Sequence, residues 1–123
     1  MSAPMRVDQE EGTLQAGGLE IRIGDGLVLA AGRPLLLSVR EFQLLAAMAE
    51  RSGIIVTRQE LYHVVWGREL RVADRTIDVY VSRLRAKLEG AVPDEHFIHT
   101  HIGFGYRFQP EPSRDVYSTA TIH

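Results

Sequence analysis

The chain has 123 residues, 45% hydrophobic and 24% charged, a balance that fits one globular domain and excludes a fibrous or wholly disordered chain. It holds no cysteine, which excludes a disulfide framework and any thiolate-ligated zinc or iron–sulfur site. No apolar run approaches the roughly 20 residues that cross a bilayer. The polar, acidic start is no secretory signal, so a cytoplasmic protein without a membrane partner is expected.

The formal net charge of −2 argues at first against nucleic acid. Its distribution argues the other way. From Arg68 to Leu88 six basic residues (Arg68, Arg71, Arg75, Arg83, Arg85, Lys87) face three acidic ones (Glu69, Asp74, Asp78), a net +3 that leaves −5 for the remainder. Salt screens charges beyond about 10 Å, so a local basic face on an acidic body can engage phosphates. A solvated helix face is the plainer reading of the same charges.

In chain order, Met1–Gly12 reads as a flexible leader, residues 13–108 as the domain and 109–123 as a flexible tail. The tail has one candidate strand at Val116–Thr119. From Thr13 to Ser38 short β segments are cut by turn residues. Leu19-Glu20-Ile21-Arg22-Ile23 alternates as a strand with one wet face does, and Gly24-Asp25-Gly26 is a turn signal. Leu27–Ala31 follows, then a turn at Gly32-Arg33-Pro34, then Leu35-Leu36-Leu37. With Thr13–Ala16, these segments predict an antiparallel sheet of about four strands.

Three helices come next. Ser38-Val39-Arg40-Glu41 is a capping box, in which hydroxyl and carboxylate each satisfy a free backbone N–H. The helix it opens runs to about Arg51, with Phe42, Leu45, Ala46 and Ala49 on one stripe. Thr57-Arg58-Gln59-Glu60 is a second box, opening a helix that turns Leu61, Val64 and Val65 inward and stops at Gly67. The third helix spans about Asp74–Glu89. At about 100° per residue, Ile77, Val81, Leu84 and Leu88 share a narrow face, while Arg75, Val79, Ser82, Arg83 and Ala86 project from the other side. Phe97–His101 and Tyr106-Arg107-Phe108 then read as a hairpin around Gly103-Phe104-Gly105.

Two short helices, a longer one and a hairpin form an α+β winged helix-turn-helix pattern. The B-DNA major groove admits one α-helix, provided its outward side chains allow close approach. Val79, Ser82 and Ala86 are small enough. Val79 can touch a thymine methyl, Ser82 can bond a base edge, Arg83 can fork onto guanine or a phosphate, and Arg75 in the first turn suits a phosphate. At Arg83 the alternative is a surface ion pair. At Trp66 it is a core anchor, and a mixed role is expected, with the ring packed and the indole N–H reaching a phosphate.

These residues resemble the effector domain of OmpR/PhoB-type response regulators. The resemblance lies in Leu37-Ser-x-x-Glu-Phe-x-Leu-Leu45, Thr57-Arg-x-x-Leu61, Val65-Trp66-Gly67, the run Asp74 to Leu88, and Gly103-Phe-Gly-Tyr-Arg-Phe108. It covers about three quarters of the chain. It implies a winged helix between two small sheets, sequence-specific double-stranded DNA binding at promoters, and bacterial transcription regulation near the nucleoid within two-component signalling. It implies phosphate contacts from Trp66, Arg75 and Thr100, and base or groove contacts from Val79, Ser82 and Arg83, with Arg85 and Tyr106 as further candidates. Thr76 belongs to the same DNA-binding set. Arg68, Glu69 and Arg71 match a loop that in some relatives touches RNA polymerase. Tandem binding to direct repeats is implied, by a chain that is a monomer in solution or a tandem dimer on DNA.

Two features depart from that family. The leader is too short for a phosphoacceptor receiver, so the chain resembles an effector without it, stand-alone or a piece of a longer protein. Where many relatives carry a wing arginine before the first turn glycine, this chain has Ile102. No Ser/His/Asp ordering, phosphate loop or carboxylate pair suggests an enzyme. His99 and His101 share a strand face, but two histidines without a third ligand do not make a metal site, and no cofactor is expected. The competing function is a protein-interaction module, for example on RNA polymerase, with weak DNA binding.

Overall fold

The computed structural model describes residues 12–69, 71 and 74–113. Most of the leader and the candidate strand at Val116–Thr119 lie outside the described residues. Strands β1 (Thr13–Ala16), β2 (Leu19–Arg22), β3 (Leu27–Ala30) and β4 (Arg33–Pro34) form an antiparallel sheet in chain order. The alternation in the sequence sets its faces. Leu19 pairs with Ala30 and Ile21 with Val28, and all four side chains are buried, while Glu20 and Leu29 pair on the other face.

The last turn falls one residue earlier than the sequence suggested. Ala31 and Gly32 take positive φ, the geometry of a tight hairpin turn, so Arg33–Pro34 becomes the edge strand. Leu35 still donates its N–H to Val28, but Leu36 is 86% exposed and forms no strand.

Helices α1 (Val39–Ala49) and α2 (Arg58–Trp66) both begin with complete reciprocal capping boxes, at Ser38/Glu41 and Thr57/Glu60. Helix α1 packs against α2, the strand Gly105–Pro112 and the third helix, α3 (Thr76–Ala91), and accordingly buries Leu44 and Met48 beyond the expected stripe. Helix α2 buries Leu61, Tyr62 and Val65. Val64, expected inward, is 57% exposed. At about 100° per residue it lies about 110° from the middle of the arc those three define, and Tyr62 fills the inward place instead.

A second sheet, in the order β5-β7-β6, closes the domain. Strands β6 (Glu95–His101) and β7 (Gly105–Pro112) form the hairpin, and β5 (Ile55–Val56) pairs with the base of β7. Strand β7 extends to Pro112, opposite Glu95, so residues 109–112 belong to the sheet rather than to a flexible tail. Gly105 permits the β5 junction. A Cβ there would lie 2.1 Å from the Val56 carbonyl oxygen, and its φ of 154° is one that side chains rarely adopt.

Candidate nucleic-acid interface

The two sides of α3 separate cleanly. Ile77, Val81, Leu84 and Leu88 are 0% exposed and fix the helix to the core, while Arg75, Val79, Ser82, Arg83 and Ala86 are exposed. The helix begins at Thr76, two residues later than expected. Asp74 accepts from the Thr76 backbone N–H at 2.8 Å and from its hydroxyl at 2.6 Å. Those bonds, the hydroxyl first, hold the Asp74 carboxyl below its ordinary range. They also commit the half-buried Thr76 hydroxyl within the protein, so its side chain is not a free donor for DNA.

Arg83 extends from the outer face with its guanidinium 5.5 Å from the Tyr80 ring centroid. No carboxylate pairs with it among the described residues, so the surface ion pair does not form there. Tyr80 meets Trp66 edge-on at 5.3 Å, and Trp66 stacks on Tyr62 at 5.0 Å. Arg40 lies over the Trp66 ring at 5.2 Å and donates to the Val65 carbonyl, closing the end of α2. Trp66 is half-buried in an aromatic run that reaches the Arg83 guanidinium through Tyr80.

Two groups tie the hairpin to α3. The Asp78 carboxylate accepts from the Tyr106 hydroxyl at 2.5 Å and from Arg58 Nε at 3.0 Å, joining α3, β7 and the start of α2. Burial pushes the Asp78 carboxyl up, but these two donors outweigh it and hold the group below its usual range. Burial, then Asp78, pushes the Tyr106 hydroxyl up, so at neutral pH it keeps its proton and donates.

Tyr106 is 7% exposed, and its hydroxyl faces α3. Arg85 is likewise engaged, donating to the Ile98 carbonyl at 3.2 Å and the exposed Thr100 hydroxyl at 2.9 Å. Both residues hold the hairpin at a fixed attitude to α3.

Lys87 also leaves the basic set. Its ammonium lies 2.7 Å from the buried Glu41 carboxylate, which accepts from the Ser38 backbone N–H as well. Burial raises the Glu41 carboxyl, and Lys87 and Ser38 together bring it below the ordinary value. Of the six basic residues that suggested nucleic acid, Arg75, Arg83, Arg68 and Arg71 are exposed and in no salt bridge among the described residues. The last two flank exposed Glu69 in the connection after Gly67, whose φ of 75° ends α2.

Sequence reasoning marked Glu41 only as a cap and missed both carboxylate hubs, because their partners lie 20 to 46 residues away in the chain. His99 approaches the Gln109 carbonyl at 2.8 Å and His101 accepts from Arg107 at 3.1 Å, so the two rings meet different partners. No trio of potential ligands gathers among the described residues. None of their helices is long and apolar enough to cross a membrane.

At the turn of the hairpin, Ile102 is 90% and Phe104 71% exposed.

Comparison with known proteins places this geometry. Residues 32–108 match the family described as transcriptional regulatory protein, C terminal. The sensory transduction protein RegX3 of Mycolicibacterium smegmatis is 33% identical over 100 residues, 81% of this chain and 44% of that protein. The phosphate regulon transcriptional regulatory protein PhoB of Shigella flexneri is 34% identical over 106 residues, 86% of this chain and 44% of that protein. The chain thus spans less than half the length of these curated relatives.

Among solved structures, the Klebsiella pneumoniae RstA DNA-binding domain in complex with the RstA box is similar with a TM-score of 0.73 at 32% identity. That match covers 80% of this chain and 98% of that one. The DNA-binding domain of CpxR from E. coli gives the same TM-score and identity over 79% and 95%.

Proposed function

Because the chain belongs to the family of C-terminal domains of transcriptional regulatory proteins, the OmpR/PhoB-type effectors, we propose that it binds double-stranded DNA sequence-specifically and regulates transcription. Helix α3 enters the major groove, and the β6–β7 hairpin lies as a wing on the adjacent backbone or minor groove. The observation that carries this reading is the outer face of α3. Arg75 and Arg83 stand exposed and form no salt bridge among the described residues, beside the small side chains of Val79, Ser82 and Ala86. The inner stripe of the same helix is wholly buried. A helix anchored so firmly can present two cations without reorganising.

In this proposal Val79, Ser82 and Arg83 meet base edges. Arg75, the Thr100 hydroxyl and the Trp66 indole N–H meet phosphates. Arg85, Tyr106 and Thr76 act from behind. Arg85 and Tyr106 set the wing's angle, and Thr76 sets the start of α3. The RstA domain was solved on its box and the AdeR domain with an intercistronic region, and both precedents support a promoter-like target here. Tandem sites, a place at the nucleoid in the cytoplasm, and a polymerase contact through Arg68, Glu69 and Arg71 belong to the same proposal. The three loop side chains are exposed, which supports the last of these.

Selection of bound duplexes from a random pool tests the function. Enrichment of one half-site, alone or in direct repeat, is expected. A pool that returns no common sequence, or no binding at low salt, rejects the reading in favour of a protein-interaction module.

A further inference from the structure

The wing tip is chemically unlike the rest of the interface. Between Thr100 and Tyr106 the chain has no lysine or arginine. The wing's one arginine, Arg107, turns toward His101 and Gln109 along the sheet. The tip instead presents Ile102 and Phe104, 90% and 71% exposed, on either side of Gly103.

These two side chains do nothing visible for the fold, since they reach no core. Single exposed apolar residues are ordinary, but two large ones on a three-residue turn, where polar residues usually sit, are not. The turn is also stiff. Phe104 donates its N–H to the His101 carbonyl at 2.9 Å, and Gly103 takes φ 84°.

We propose that Ile102 and Phe104 form an apolar wedge that enters the minor groove beside the α3 site and bends the duplex there. The proposal rests on the DNA-binding reading above. Its occupant follows from continuity with that face. Thr100 and Tyr106 are bonded to α3 through Arg85 and Asp78, so the wing does not swing free of the helix. From that rung, two to three extended residues carry the tip about 7–10 Å further. That reach suits the groove next to the one α3 fills. Branched and aromatic side chains delivered rigidly to a minor groove unstack a base step, and the bend brings more backbone against the protein. Such a wing reads flexible pyrimidine–purine steps by deformability rather than by charge.

The test uses duplexes recovered by selection, labelled at both ends, with bend read by energy transfer and affinity by anisotropy across salt. Ile102→Ala/Phe104→Ala should lose the bend and about ten-fold or more in affinity, with the salt slope and melting temperature unchanged. Ile102→Arg should steepen the slope by about 0.9, one added phosphate contact. An alanine pair that binds and bends DNA like the parent overturns the wedge while leaving DNA binding intact, and assigns the tip to a protein partner instead. A parent chain that binds no duplex at all overturns both.

Discussion

Arg83 and Arg75 leave the same face of α3, yet their settings assign them different work. Arg83 is backed by Tyr80 and has no competing carboxylate among the described residues, so its fork is oriented before DNA arrives. Arg83→Ala should weaken the preferred duplex by about 1–3 kcal/mol and flatten base preference at one position. Arg75 stands just before the first turn, and its charge reaches back to Asp78. Arg75→Ala should weaken all duplexes nearly alike and reduce the salt slope by about 1. Competition binding on matched and scrambled duplexes separates the two, and equal losses on both duplexes for Arg83→Ala would contradict its reading role. The outer residues of α3 were legible in the sequence because helical periodicity alone fixes which side chains share a face. The settings of Tyr106, Arg85 and Lys87 were not. Each is decided by one partner in another element: Asp78, Thr100 and Glu41.

Between elements, two carboxylates, buried Glu41 and half-buried Asp78, join helices and strands distant in the chain. Asp78 clasps α3 to α2 and the wing, and Glu41 clasps α1 to α3. Both carboxyls are held below their ordinary values. A depressed folded value means the stabilisation is whole above the unfolded carboxyl range of about 4 and is lost as pH falls through the folded values. The melting temperature should therefore hold from pH 7 to about 5 and drop below about 4, with a smaller drop in Asp78→Asn. A parent melting temperature that is flat down to pH 2.5 would show that neither clasp matters. Tyr106→Phe keeps the buried ring and removes one donor. It should cost about 1–2 kcal/mol and weaken DNA binding more than that loss implies for the fold, because the wing loosens. The starts of α1 and α2 were readable from the two capping boxes, which are local chemistry. Strand β5 and the extension of β7 were not, since two-residue pairing and a proline-bearing strand leave no periodic trace.

At the scale of the described domain, α3 packs on β6 of the second sheet and on the other two helices, in a chain of net charge −2. The sheets lean on each other through Glu95, which accepts the Gly18 N–H at 2.7 Å across 77 residues of chain. Gly17, beside Gly18 in the β1–β2 turn, takes φ 56°, a conformation that side chains rarely adopt. Arg75 and Arg83 stand exposed on the outer side of α3, and Arg68 and Arg71 stand exposed in the connection before it. The family was visible in the ordered motifs from Leu37 to Phe108, whereas the local charge excess overstated the cations available by counting Lys87 and Arg85. In the proposed function this chain, though of net charge −2, binds duplex DNA through several phosphates. The most direct test is the affinity for a selected duplex measured across salt. Log K should fall steeply and linearly with log salt, by about 0.9 for each phosphate neutralised. An affinity independent of salt would contradict it.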